Sequence, residues 1–163
     1  MKNHKFYSNP VYFWIYVLIT LVLVSCKVTE WVVPQPYCGY WRTENTKVTV
    51  RFKVGDEKHS QFISDSAIFT LVINHDKTAS GTIGLSSFEN GKMLKNHTLW
   101  ETGVSYVIEC GTIGKIFEND PVGTKEVDLW LGQVNENGTI KAEMRLGGSV
   151  FPMADLMFEQ VKD

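Results

Sequence analysis

The chain has 163 residues, a formal net charge of −2, 44% hydrophobic residues and three cysteines. That length suits one domain able to bury its own core, so neither a metal nor a dense disulfide framework is needed to hold it together. A weakly acidic chain has no electrostatic reason to seek nucleic acid, and no such partner is expected.

The first element is a leader. Lys2, His4 and Lys5 make a positive start, and residues 11–24 form an apolar run broken only by Tyr12, Tyr16 and Thr20. The run is shorter than the roughly 20 helical residues that a hydrocarbon core requires. It has the length of a signal-peptide core. Leu23-Val24-Ser25-Cys26 follows, an aliphatic residue at −3, a small one at −1, then cysteine. This resembles the lipobox of bacterial lipoproteins. The resemblance implies that residues 1–25 are a lipoprotein signal peptide, cut before Cys26, and that Cys26 carries lipid and a further acyl group on its new amine. Several acyl chains anchor stably where one binds only marginally. The alternative is an uncleaved signal anchor in which Cys26 is an incidental thiol. Removing Lys2 and Lys5 with the leader takes the charge from −2 to −4.

The resemblance also gives an address, the bacterial cell envelope. Lys27 follows the cysteine in place of the aspartate that retains lipoproteins in the inner membrane of enteric bacteria, which favours the outer membrane. Some Bacteroidetes surface lipoproteins carry a lysine and then acidic residues here, and Lys27-Val28-Thr29-Glu30 matches that pattern poorly. Residues 26–37 hold Pro34 and Pro36, which favour extended backbone, and read as the lipidated cysteine and its tether. Within it Trp31, Val32 and Val33 are expected to pack on the domain, residues 38–163.

From Cys38 onward no helix is expected. Short runs alternate with period two between Gly, Asn and Asp clusters, the all-β signature. Residues 47–54 are the clearest strand, with Val48, Val50, Phe52 and Val54 on one face and Thr49, Arg51 and Lys53 on the other. Residues 66–74 are apolar on both faces. Residues 74–77 turn into a strand over 80–86, and Asn90-Gly91 is a tight-turn signal leading to a strand near 92–94. Val104, Tyr106, Ile108 and Cys110 share a face of the next strand, and residues 112–117 read as its return. Asn119-Asp120-Pro121 and Gly123 form a loop. Val127, Leu129 and Leu131 point inward from 126–134, opposite Glu126, Asp128 and Trp130. Asn137-Gly138 turns the chain into 140–146, where Ile140, Ala142, Met144 and Leu146 oppose Lys141, Glu143 and Arg145. Residues 154–161 close the chain.

That is about eight to ten strands joined by hairpins. No crossover is long enough for parallel pairing. The expected fold is an antiparallel up-and-down β-barrel of about eight strands, since closure removes exposed edges. A β-sandwich is the alternative. Such a barrel has room for packed side chains or one small ligand.

Gly39-Tyr40-Trp41 heads the first domain strand and resembles the G-x-W that opens lipocalins and related calycin barrels. The resemblance implies that Trp41 plugs one end of the barrel and that an arginine from a late strand, here Arg145, packs across it. The chain departs from that family in having no T-D-Y motif and no long helix before its last strand.

Cys38 and Cys110 are an even pair in an exported domain. They are either a candidate disulfide or two buried thiols. His59, His75 and His97 sit in separate turn-like segments without metal-ligand spacing, so solvated loop histidines are expected and no metal. There is no nucleophile elbow and no phosphate loop. Glu126 and Asp128 share a face that alternation places outside. Among aromatics, Trp100 beside the loop before Gly103 is a candidate contact at a barrel mouth, Tyr106 is a candidate ligand or partner contact, and Trp130 among charges is a candidate partner contact. The leading expectation is a non-catalytic barrel, anchored through Cys26, that holds a small apolar or amphipathic ligand without a cofactor. The alternative is a solid barrel docking on another envelope protein by the face of Trp130, Glu126 and Asp128.

Overall fold

A computed structural model describes residues 11, 13–15, 17–18, 30–44, 46–54, 56–100, 103–118, 124–147 and 152–162. Contacts divide the chain into two units, Met1–Trp31 and Val32–Asp163. In the first, the described residues between Val11 and Leu18 are helical. No helix of the described residues is long and apolar enough to cross a membrane. Cys26 and most of the leader lie outside the described residues.

The second unit is a closed antiparallel barrel. Its strands are β1 (Gly39–Arg42), β4 (Thr70–Ile73), β5 (Thr78–Ile83), β6 (Ser86–Trp100), β7 (Gly103–Ile113), β8 (Lys125–Val134), β9 (Thr139–Leu146) and β10 (Pro152–Gln160). Each pairs with the next, and β10 and β4 both pair with β1, which closes the eight-stranded wall. The alternation explains the arrangement: on β9, Ile140, Ala142 and Met144 are buried while Lys141, Glu143 and Arg145 point outward.

β2 (Thr46–Val54) and β3 (Glu57–Ala67) are not in this wall. Residues 47–54, the clearest strand by alternation, are therefore a strand but not a barrel strand. The pairing order explains why. Trp41 pairs with Leu71 and Arg42 with Thr70, and the Thr43 amide donates to Phe69 O at 3.0 Å. Thr46 then pairs with Ala67 and Val48 with Ser64. The hairpin thus continues the line of the β1–β4 pair, and β2 lies against β10 although no ladder joins the two. Val48 is buried at 1% exposure, Thr49 and Arg51 are exposed, and Arg51 reaches Asp155 on the outer face of β10 at 2.6 Å. The side chains of Val50, Phe52 and Lys53 lie outside the described set.

Two turn assignments change. Asn90-Gly91 does not reverse the chain, because β6 runs straight through it. Asn90 takes a φ of 58° inside a bulge where the β5–β6 register shifts, so the positive-φ preference serves a bulge. The turn between β5 and β6 is instead at Gly84 and Leu85. Residues 112–117 are not a returning strand either. β7 ends at Ile113, and the chain then folds over the barrel end.

Candidate functional site

Among the described residues the barrel interior is filled. Trp41, Leu71, Ile83, Met93, Ile108, Leu129, Leu131, Ile140, Ala142 and Met144 are each 0% exposed. A void large enough for water would leave accessible area on the walls that face it, so none lies against these residues. No buried side-chain nitrogen or oxygen among the described residues lacks a partner.

Both ends are plugged. The entering chain closes the base with a 3-10 turn at Gln35–Tyr37. Val33 and Tyr37 are buried there. The Trp41 indole N–H donates to Tyr37 O at 2.9 Å, and Tyr37 Oη donates to Gly132 O at 2.9 Å. The Tyr37 and Tyr106 rings stand 4.7 Å apart, so Tyr106 packs on this plug. At the far end Ile116 and Phe117 fold inward, with Phe117 edge-on to Phe69 at 6.4 Å.

Burial, then the neighbouring Tyr106, pushes Tyr37 from its ordinary value near 10 up to about 12. The unfolded chain loses that proton first, so this plug loses stability progressively between about pH 10 and pH 12 and is unaffected below that window. Alkaline unfolding followed by circular dichroism should show a fall that Tyr37→Phe removes in part. Tyr106, also raised by burial, leaves a residue of it.

Arg145 is not at the base and does not touch Trp41. It points outward, because it alternates with the buried Ala142 and Met144 positions. Its guanidinium lies 4.0 Å from the Trp130 ring centroid and is bonded to Glu143, with Nε donating at 3.1 Å. The G-x-W positions themselves hold: Gly39 takes a φ of 131° and Trp41 is fully buried.

Trp130 sits in one of two adjoining outer rows. Leu94, Val107, Trp130 and Glu143 are consecutive cross-strand partners, as are Lys92, Glu109, Asp128 and Arg145. Leu94, Lys95, Asn96, His97, Glu109 and Asp128 border a shallow groove of about 620 Å³ floored by Val107 and Trp130. Val107 is only 8% exposed although it faces outward. Burial, then Glu109 and Glu126, hold the Asp128 carboxyl above its ordinary value. Like charges directly opposite on neighbouring strands disfavour each other, and Lys92 and Arg145 stand at the two ends of that carboxylate row. The Trp100 side chain lies outside the described set.

Cys38 and Cys110 are not bridged; both are free. Cys110 is buried in the β7 wall, and burial, then Asp128, push its thiol up. Cys38 stands at the base, half-exposed, where its Sγ lies 3.3 Å from His75 Nδ1. Their positions at different levels of the barrel separate the two thiols. His59 and His97 lie on β3 and β6 and not in turns, and His75 is in the β4–β5 turn. Among the described residues no three metal-ligating side chains converge. The Cys38–His75 pair escaped the sequence because 37 residues separate its members. No family model, no curated protein and no solved structure matches the chain.

Proposed function

We propose that this chain is a non-catalytic interaction module of the bacterial cell envelope. It is anchored by lipid on Cys26, in the outer membrane by the residue that follows, and docks on another envelope protein through the outer face built on Trp130. The observation that carries this reading is the filled interior. With ten lumen walls at 0% exposure, a small apolar ligand has no preformed space against them, and recognition falls to the outer surface.

The groove face suits that role. It offers an apolar shelf of Leu94, Val107 and Trp130 between the Glu109 and Asp128 carboxylates and Lys95, an arrangement complementary to a partner segment carrying apolar side chains and charges of both signs. Trp130→Ala should leave the barrel folded, since the residue packs outside the core, with a cost of about 1–2 kcal/mol from the lost stack and shelf contacts. The same variant should lose the larger assembly when envelopes are solubilised gently and run on native gels. A variant that keeps every assembly of the parent would remove this face from the proposal. Moving Cys26→Ser from the membrane to the soluble fraction tests the anchor separately.

A further inference from the structure

We infer that the base of the barrel is a membrane-resting surface, with an apolar rim seated at the level of the lipid headgroups. This inference rests on the proposed lipid anchor at Cys26. Six residues along the chain from Cys26 stands Val32, where the barrel unit begins. Fully extended, those six residues span roughly 20 Å. Val33, the next residue, is already buried at the base. A lipid on Cys26 therefore holds this end of the barrel close to the bilayer.

The same end carries exposed apolar side chains on several elements. Val32 is 70% exposed, next to the buried Val33. Tyr40 near the start of β1 and Val161 just after β10 are both exposed, and they are neighbours, since the Val161 amide donates to Tyr40 O at 2.9 Å. Tyr40 pairs in turn with the half-buried Val72 on β4. Val104 is exposed where β7 begins. Tyrosine favours the membrane interface because its ring can leave water while its hydroxyl stays wet. Among the described residues of the base turns and the chain end, Asp76 and Glu136 offset Lys77 and Lys162. The base therefore has little net charge with which to choose a charged partner, and what it presents is apolar area.

The tether decides for lipid as the occupant. Four exposed side chains are too few to hold a free domain on a membrane, because apolar contact scales with the area buried. A short tether makes the contact intramolecular, and the effective concentration of bilayer at the base then lets weak contacts set the orientation. Leu85 at the opposite end is as exposed as these residues but has no tether beside it, so it faces away from the membrane. The Trp130 face, on the side wall of the barrel, stays open to a partner held in the same membrane.

The test uses the full chain expressed in a bacterial host, its lipid checked by intact mass, and reconstituted in neutral phosphatidylcholine vesicles. Cys38→Ser removes the half-exposed thiol of the domain, and Cys110 is buried. A nitroxide is then attached in turn at Tyr40→Cys, Val104→Cys and Val161→Cys, and at Leu85→Cys as the far-end comparison, with circular dichroism establishing that each labelled chain is folded. Collision with oxygen, which concentrates in the bilayer, is measured against collision with a water-soluble nickel complex. The oxygen-to-nickel ratio is expected to rise severalfold at the three base sites and to keep its aqueous value at Leu85. High salt should leave it unchanged, since salt screens only charge attraction. Lipidated, vesicle-bound chains whose base labels match the Leu85 label overturn the inference and leave the anchor standing. Base labels shielded from both colliders, which would mean that protein covers the base, overturn it too, as does release of the base by salt. A chain without lipid, or one that does not float with the vesicles, overturns the anchor and this inference with it.

Discussion

Replacing Trp41 with alanine is expected to cost about 3–5 kcal/mol, the range for emptying a fully buried large aromatic site. Trp41 has no exposed surface, and neither has Leu71, its partner on β4. The cavity would open directly above the base plug. The change also leaves Tyr37 O, buried beneath the indole, without its donor. An orphaned buried acceptor adds about 1–3 kcal/mol where water cannot reach it. Against the 5–15 kcal/mol typical of a whole domain, that is enough to leave much of the chain unfolded. Urea unfolding of the Trp41→Ala and Trp41→Phe variants separates the two contributions, since phenylalanine restores most of the volume and none of the hydrogen bond. A loss under 1 kcal/mol for the alanine variant would mean that the base is not closed in this way.

Gly84→Ala is the second large effect, and it acts at the opposite end. Gly84 has a φ of 58°, and a Cβ placed there would stand 1.9 Å from Ile116 O. That carbonyl is the acceptor for the Leu85 amide at 2.9 Å, the bond that seats the 114–118 segment over the barrel. The methyl group must push this segment away and lift Ile116 and Phe117 from Phe69. A loss of about 2–4 kcal/mol is expected from strain and lost plugging together. Gly111 is the control. It also has positive φ, 74°, but nothing lies within 4 Å of its added Cβ. Gly111→Ala should therefore cost only the left-handed backbone penalty of about 1–2 kcal/mol. Denaturant midpoints of the two variants give the comparison. Equal losses would show that the far-end plug contributes nothing beyond backbone strain.

The wall strands were legible because alternation is a local property. Val127, Leu129 and Leu131 read as inward on period alone, and all three are 0% exposed. The same rule already placed Arg145 outside, together with Lys141 and Glu143. Its assignment to Trp41 came from the family likeness, and the alternation rule was the better guide. Asn90-Gly91 misled for a related reason. The pair reports tolerance of positive φ, which a bulge and a hairpin turn both use. Only the partner strand decides between them, and β5 stays paired on both sides of Asn90, with Gly81 opposite Phe88 and Ala79 opposite Gly91.

The β2–β3 hairpin and the Cys38–His75 contact show the other limit. Residues 47–54 alternate as well as any wall strand, yet they pair only with β3 and pack on β10 without joining its ladder. Composition and period determined that this domain is antiparallel β, how many strands its wall needs and which side chains face in. They are short-range quantities, written within a few residues of one another. Tertiary structure alone decided that the interior is full, that the hairpin lies outside the wall ladder, that Arg145 covers Trp130, and that Cys38 meets His75 and not Cys110. Each of those depends on the register and curvature with which distant strands close on themselves, and no local pattern encodes the distance between residues that the closure brings together.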